Sequence, residues 1–179
     1  MKGLQTYLIP FIGLKQGIHP FNYTINKDFF INFPDSLVQE GSILVDLNFD
    51  KKENFFVLDF NIKGIVNVEC DRCLDYFDLP VQGQYTIIIK FNDELRNEND
   101  MGDSDIIYIS RNDTVIDVTQ LIYEFVNLSV PMHKTHSEDS AKNSTCNPKI
   151  IGLLKNYTSD ASEKETDPRW NELKKLKTK

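Results

Sequence analysis

A chain of 179 residues can bury one sizeable core and carry a tail, or make two small domains at most, and its 40% hydrophobic content with 12 Phe and 7 Tyr excludes a disordered polymer. The formal charge of −7 is unevenly spread: from Lys164 to Lys179 six basic residues stand against three acidic ones, so that segment carries +3 and the remainder −10. An acidic body is not drawn to phosphate backbones by its overall field and suits a basic protein partner, and no run reaches the roughly 18 apolar residues that span a bilayer.

Met1 to Tyr7 lack a signal-peptide apolar segment and cleavage site, so a cytoplasmic location is expected. In that compartment three cysteines argue against a disulfide framework and leave metal or redox roles open. His19, beside Pro20, reads as a packing or turn residue. Residues 21–26 and 29–33 are short aromatic and β-branched runs, predicted as strands, with Pro34-Asp35 as a break. Residues 42–49 follow, then a polar turn over 50–54. Residues 55–62 alternate from Leu58 onward, with Leu58, Phe60 and Ile62 on one face and Asp59 and Asn61 on the other, which marks a half-buried antiparallel strand. Gly64 precedes another alternating piece, 65–69, that delivers the chain to Cys70-Asp71-Arg72-Cys73. Beyond it, 76–79 and 84–91 read as returning strands joined near Pro80 and Gly83.

The two thiols of Cys70 and Cys73 therefore sit at a hairpin tip, where ribbon-type zinc knuckles occur. Such a pair can hold a metal, form a redox couple or crown a tight turn. A thioredoxin-type pair opens a helix after a strand, and here both flanks read as strands, which weakens the redox reading. Arg72 is placed for presentation to phosphate, although a solvated turn residue is the plainer interpretation.

Residues 92–105 hold six carboxylates against Arg96 and are expected to form a mobile loop, without the Gly and Glu spacing of a calcium site. From Asp117 to Ser129 the period changes to three and four, through Val118, Leu121, Ile122, Phe125 and Leu128, predicting an amphipathic helix that ends before Pro131. Asn147-Pro148 opens a second helical run through Leu154. Asp167-Pro168 opens a third, with Asp167 as N-cap. Strands first and helices last predict an α+β fold: an N-terminal antiparallel, barrel-like sheet with C-terminal helices packed on it. Residues 1–160 are expected to form a single domain and 161–179 a basic helix or tail. No Gly-rich phosphate loop, Gly-x-Ser-x-Gly or His-Glu-x-x-His run suggests an enzyme.

The order Gly13-Leu14-Lys15-Gln16-Gly17, Cys70-Asp71-Arg72-Cys73-Leu74, Leu128-Ser129-Val130-Pro131, a later cysteine and Asp167-Pro168-Arg169-Trp170-Asn171-Glu172-Leu173 resembles the YceD family over nearly the whole chain. Its members are called large ribosomal RNA subunit accumulation proteins. The resemblance implies a small, non-catalytic bacterial factor that large-subunit rRNA needs in order to accumulate, and a cysteine-based metal site in members that keep it. Relatives pair the first Cys-x-x-Cys with a second cysteine pair, or with a histidine and a cysteine, after the proline that ends the helix. His136 and Cys146 match the latter version, although Ser137 to Thr145 is longer and more polar than the pattern calls for.

Zinc chemistry accommodates that set, since two ligands from one knuckle and two from another make a closed tetrahedral site. Cys70, Cys73, His136 and Cys146 are the expected ligands of one structural zinc ion, with His133 as a substitute. The expected partners are precursor large-subunit rRNA, basic ribosomal proteins or both, with no membrane and no small-molecule substrate. Arg72, Arg169, Lys174, Lys175 and Lys177 are the candidate contacts, joined by Trp170, whose spacing to Leu173 and Leu176 also suits the docking of a terminal helix. The competing function is a cytoplasmic metal-binding or thiol–disulfide protein acting through Cys70 and Cys73 directly.

Overall fold

Alternation of apolar and polar residues governs the architecture of the computed structural model, which describes residues 4–34, 36–91, 105–137 and 145–157. Two 3-10 turns, Leu4–Tyr7 and Phe11–Gly13, flank a short strand β1 (Leu8–Ile9). Next come β2 (Gly17–Ile25), the one-turn helix α1 (Lys27–Phe30), β3 (Glu40–Lys51), β4 (Phe55–Glu69) and β5 (Tyr76–Phe91). The remainder is β6 (Ile106–Ile109), β7 (Ile116–Asp117), α2 (Thr119–Leu128) and α3 (Pro148–Tyr157). The main sheet runs β2-β3-β4-β5-β6, and β1 pairs with β7 in a separate ribbon. This is an α+β fold.

Three details depart from the sequence reading. First, among the described residues the sheet stays open, with β2 and β6 as its edges rather than a closing pair, so no barrel forms. β2 to β5 are antiparallel, whereas β6 joins β5 in parallel. The intervening 92–105, with the dozen or so residues a parallel return requires, lies outside the described residues except for Asp105. Second, 29–33 is not a strand. Asn26 caps α1 by accepting the Asp28 N–H at 3.1 Å, and one helical turn buries Phe29 and Phe30 together. Third, 55–69 and 76–91 are two unbroken strands. Pro80 is tolerated because β6 reaches only Ile88 to Phe91, leaving that part of β5 at an edge.

One sheet face builds the core. Across β3 and β4, Val45 faces Ile62, Leu47 faces Phe60 and Phe49 faces Leu58, all essentially without solvent exposure. Each such side chain contributes about 1.5–3 kcal/mol by burial. α2 closes this face: Phe125 meets Phe60 with ring centroids 5.1 Å apart and stacks on Tyr85 at 4.5 Å. Phe33, after α1, stacks on Tyr123 of α2 at 4.0 Å, and the N-terminal turns add Tyr7 and Phe11. Gly83 permits the docking of the α2 end, because a Cβ there would lie 2.5 Å from the Ser129 hydroxyl. His19 takes the turn role, its Nε2–H donating to the Lys15 carbonyl at 2.8 Å.

Candidate metal centre

β4 and β5 pair to their ends, Glu69 opposite Tyr76, so the six residues between must reverse the chain. They do so in a compact knuckle: the Leu74 N–H donates to the Cys70 carbonyl at 2.9 Å and the Cys70 N–H to the Asp75 carbonyl at 3.0 Å. Closing that turn puts Leu74 in the left-handed region, at φ 63°. The turn folds Cys70 and Cys73 inward, both buried, while Arg72 is half-buried between them. No helix starts here, so the knuckle lacks the helix N-terminus that activates thioredoxin-type thiols.

The chain leaving α2 comes back to this tip. Asp71 grips it at three points: its N–H donates to the Lys134 carbonyl at 2.7 Å, its carboxylate accepts the Lys134 N–H at 2.7 Å, and the Lys134 ammonium sits 3.0 Å from the same carboxylate. The Lys134 backbone N–H, ahead of its ammonium, holds the Asp71 carboxyl below its ordinary range. Two residues on, His136 tilts against Phe77 with ring centroids 4.6 Å apart. Asn147 then donates to the Asp75 carboxylate at 3.1 Å, bringing Cys146 in from the other side.

The long Ser137–Thr145 insert does not separate these groups. Thr145 closes its base by donating both its N–H, at 3.4 Å, and its hydroxyl, at 2.9 Å, to the Ser137 carbonyl.

Cys70, Cys73, His136 and Cys146 offer four ligand atoms that all lie within 4.8 Å of one another. Cys70 Sγ is 3.8 Å from Cys146 Sγ, and His136 Nδ1 is 3.5 Å from Cys73 Sγ and 3.6 Å from Cys146 Sγ. Tetrahedral zinc, with bonds of about 2.3 Å to sulfur and about 2.0–2.1 Å to nitrogen, spaces its ligands roughly 3.8 Å apart sulfur to sulfur and roughly 3.6 Å sulfur to nitrogen. The donor set fits such an ion. No disulfide competes, since all three cysteines are free thiols. Burial alone would push the Cys70 thiol up, but the backbone N–H groups of Cys73 and Arg72 and hydrogen bonds from His136 together pull it down to about 6. A thiol held as thiolate near neutrality is the form that ligates metal.

Of the expected residues, His133 stays exposed outside the group. Arg169, Trp170, Lys174, Lys175 and Lys177, with the helix expected from Asp167 and the boundary expected at 160, lie outside the described residues. The clamp residues Asp71, Lys134, Asp75 and Asn147 were not anticipated. Their pairing spans more than sixty positions in each case and carries no spacing signature.

The molecule is thus an α+β protein whose sheet tip and helical segment meet in a Cys3His donor cluster able to bind a metal. It belongs to the YceD family: the family model described as large ribosomal RNA subunit accumulation protein YceD matches residues 58–177, from within β4 through the knuckle and helices. No curated protein and no solved structure gives a significant match. No helix among the described residues is long and apolar enough to cross a membrane.

Proposed function

We propose that the protein is a non-catalytic, cytoplasmic factor that supports accumulation of large-subunit rRNA by binding the assembling particle through precursor rRNA, a basic ribosomal protein or both. The family match over 58–177 carries this reading. Cys70, Cys73, His136 and Cys146 would hold one zinc ion, whose contribution is folding free energy rather than reaction chemistry. All four tetrahedral positions are supplied by protein, which leaves none for water or substrate. The thiolates and the imidazole bind, Asp71 fixes the His136 segment through Lys134, and Asn147 fixes the Cys146 segment through Asp75. The result is a clip that joins α3 to the sheet tip. In this reading Arg72, Arg169, Lys174, Lys175 and Lys177 contact phosphate and Trp170 anchors the C-terminal segment.

A clean deletion tests the function. Sedimentation of ribosomes from the deleted strain should show a deficit of mature large subunits and an excess of their precursors, restored by the wild-type chain. A normal subunit profile would overturn the reading. Metal analysis of the full chain, purified without chelator, should find about one zinc per chain, and less than about a quarter of an equivalent would count against the clip.

A further inference from the structure

The main sheet has a second face. α1, α2 and the N-terminal turns pack against the side that carries Leu47 and Phe60, and among the described residues nothing covers the other. The alternation of β3, β4 and β5 places Glu40, Asp46, Asp59, Glu69 and Asp78 on this open side, all exposed, against Lys63 and Lys90 of the same strands and Lys27, whose ammonium sits 3.5 Å from the Glu40 carboxylate. The strand register spreads these carboxylates over the face rather than collecting them at one point: Asp46 lies opposite Asn61, Asp59 opposite Thr86, and Asp78 opposite Asn67.

Three of the carboxylates are already oriented by uncharged donors. Asn22 donates to Asp46, Thr86 donates to Asp59 at 2.7 Å, and Asn67 donates to Asp78 at 2.8 Å. Each bond fixes a rotamer while leaving the negative charge intact, which lowers the ordering cost of a later ionic contact. The surface between them is not flat. A groove of about 520 Å³ is lined by Glu40, Ser42, Ile65, Asn67 and Asp78, and a second of about 410 Å³ by Asn61, Gln82 and Gln84. Leu44 and Ile65 stand 58% and 49% exposed among these polar groups, which supplies apolar contact beside the charges.

We propose that this open sheet face docks an extended, lysine- and arginine-rich segment of a protein of the assembling large subunit. The inference rests on the large-subunit reading above and chooses between its two partner classes. A face with a net negative charge repels phosphate and complements a basic chain, and the carboxamides of Asn61, Gln82 and Gln84 offer both donors and acceptors to an extended backbone. Precursor rRNA is left to other surfaces.

The test is fluorescence anisotropy of the full-length protein with a labelled 15-residue peptide carrying lysine or arginine at alternate positions, at low and at physiological salt. Binding should weaken with salt, and the variant D46N/D59N/D78N should lose at least about tenfold in affinity. A control, D28N/E53Q/E124Q, removes the same charge elsewhere and should change affinity by less than about twofold. Equal losses in both variants, or no loss in the first, would overturn the proposal. So would a large-subunit rRNA fragment that binds the wild type and is lost by D46N/D59N/D78N. Unchanged melting temperature and zinc content in that variant exclude misfolding as the cause. In the deletion strain the wild-type chain should restore large subunits while D46N/D59N/D78N does not. Full restoration by the variant would remove the face but keep the function, whereas a deletion without any deficit would remove the function whatever the peptide does.

Discussion

The sheet core and the donor cluster hold the chain together by different means. In the core, long strands bury Ile43, Val45, Leu47, Leu58 and Ile62 to zero exposure, and neighbours on the same strand cooperate at every second residue. At the knuckle end, α3 buries no residue, and among the described residues its Ile150 and Ile151 pack against the small cluster of Cys70, Cys73 and Cys146. The first region is stable because apolar area is abundant. The second buries little apolar area among the described residues, and it meets the sheet tip through the four donors and the polar clamps from Lys134 to Asp71 and from Asn147 to Asp75.

The largest expected effect breaks that contrast directly. Cys146→Ser removes one of the four donors of a site whose whole binding free energy in small zinc domains is of order 10 kcal/mol. Zinc content should fall from about one equivalent to less than about a quarter. Hydrogen exchange should lose protection across 132–137 and α3 while β3 and β4 keep theirs. Chelator treatment of the wild type should reproduce the pattern. Equal protection of α3 with and without metal would mean that the helix packs by itself.

The converse substitution attacks the other region. Phe60 meets Phe125 under α2, and Phe60→Ala should cost about 3–5 kcal/mol in urea unfolding. The folded fraction should still bind zinc stoichiometrically, because the knuckle's own hydrogen bonds do not pass through that ring.

The same contrast explains what could be read from the sequence. Period-two alternation in the second half of 42–49 and in 55–62 located β3 and β4, and in 55–62 it also gave the buried face, since local pattern and burial agree there. The period change at Asp117 identified α2, and Pro148 marked the start of α3. The run 29–33 misled because a short apolar stretch does not distinguish strand from one helical turn, and Asn26 settles the matter by a cap only the fold displays. Residues 76–91 were split at Pro80 because a proline at an open edge cannot be told from one in a turn without knowing the neighbouring strand. At the cluster, residue type and the family resemblance pointed to His136 with His133 as a substitute, and the fold brings His136 to the three cysteines. That placement follows from the grip of Asp71 on Lys134, which sets the register of that segment two residues before the ligand.

That grip is the next place to sharpen the comparison. Asp71→Ala removes both carboxylate contacts to Lys134 but no metal ligand. Zinc affinity should fall about tenfold, measured by competition with a chromophoric chelator, because the segment that carries His136 is no longer held against the knuckle. Unfolding of the sheet, followed by tyrosine fluorescence, should be unchanged. A drop in sheet stability without a change in affinity would show that the two regions are coupled through the knuckle rather than independent.

The smallest expected effect comes from Leu74, which adopts a left-handed conformation with its side chain 66% exposed. A leucine there bears strain of about 1–2 kcal/mol per residue, and its exposed side chain recovers little by packing. Glycine adopts the same backbone without strain, at some cost in unfolded-state entropy, so Leu74→Gly should stabilise the knuckle by about 1 kcal/mol net. If the turn is shaped by its own hydrogen bonds, from Leu74 to Cys70 and from Cys70 to Asp75, the gain should appear equally with and without zinc. If metal instead imposes the turn on a reluctant backbone, the gain should appear as tighter zinc binding with no change in the metal-free protein. Thermal melts of the variant in both states separate these outcomes and decide whether the clip region carries any order of its own.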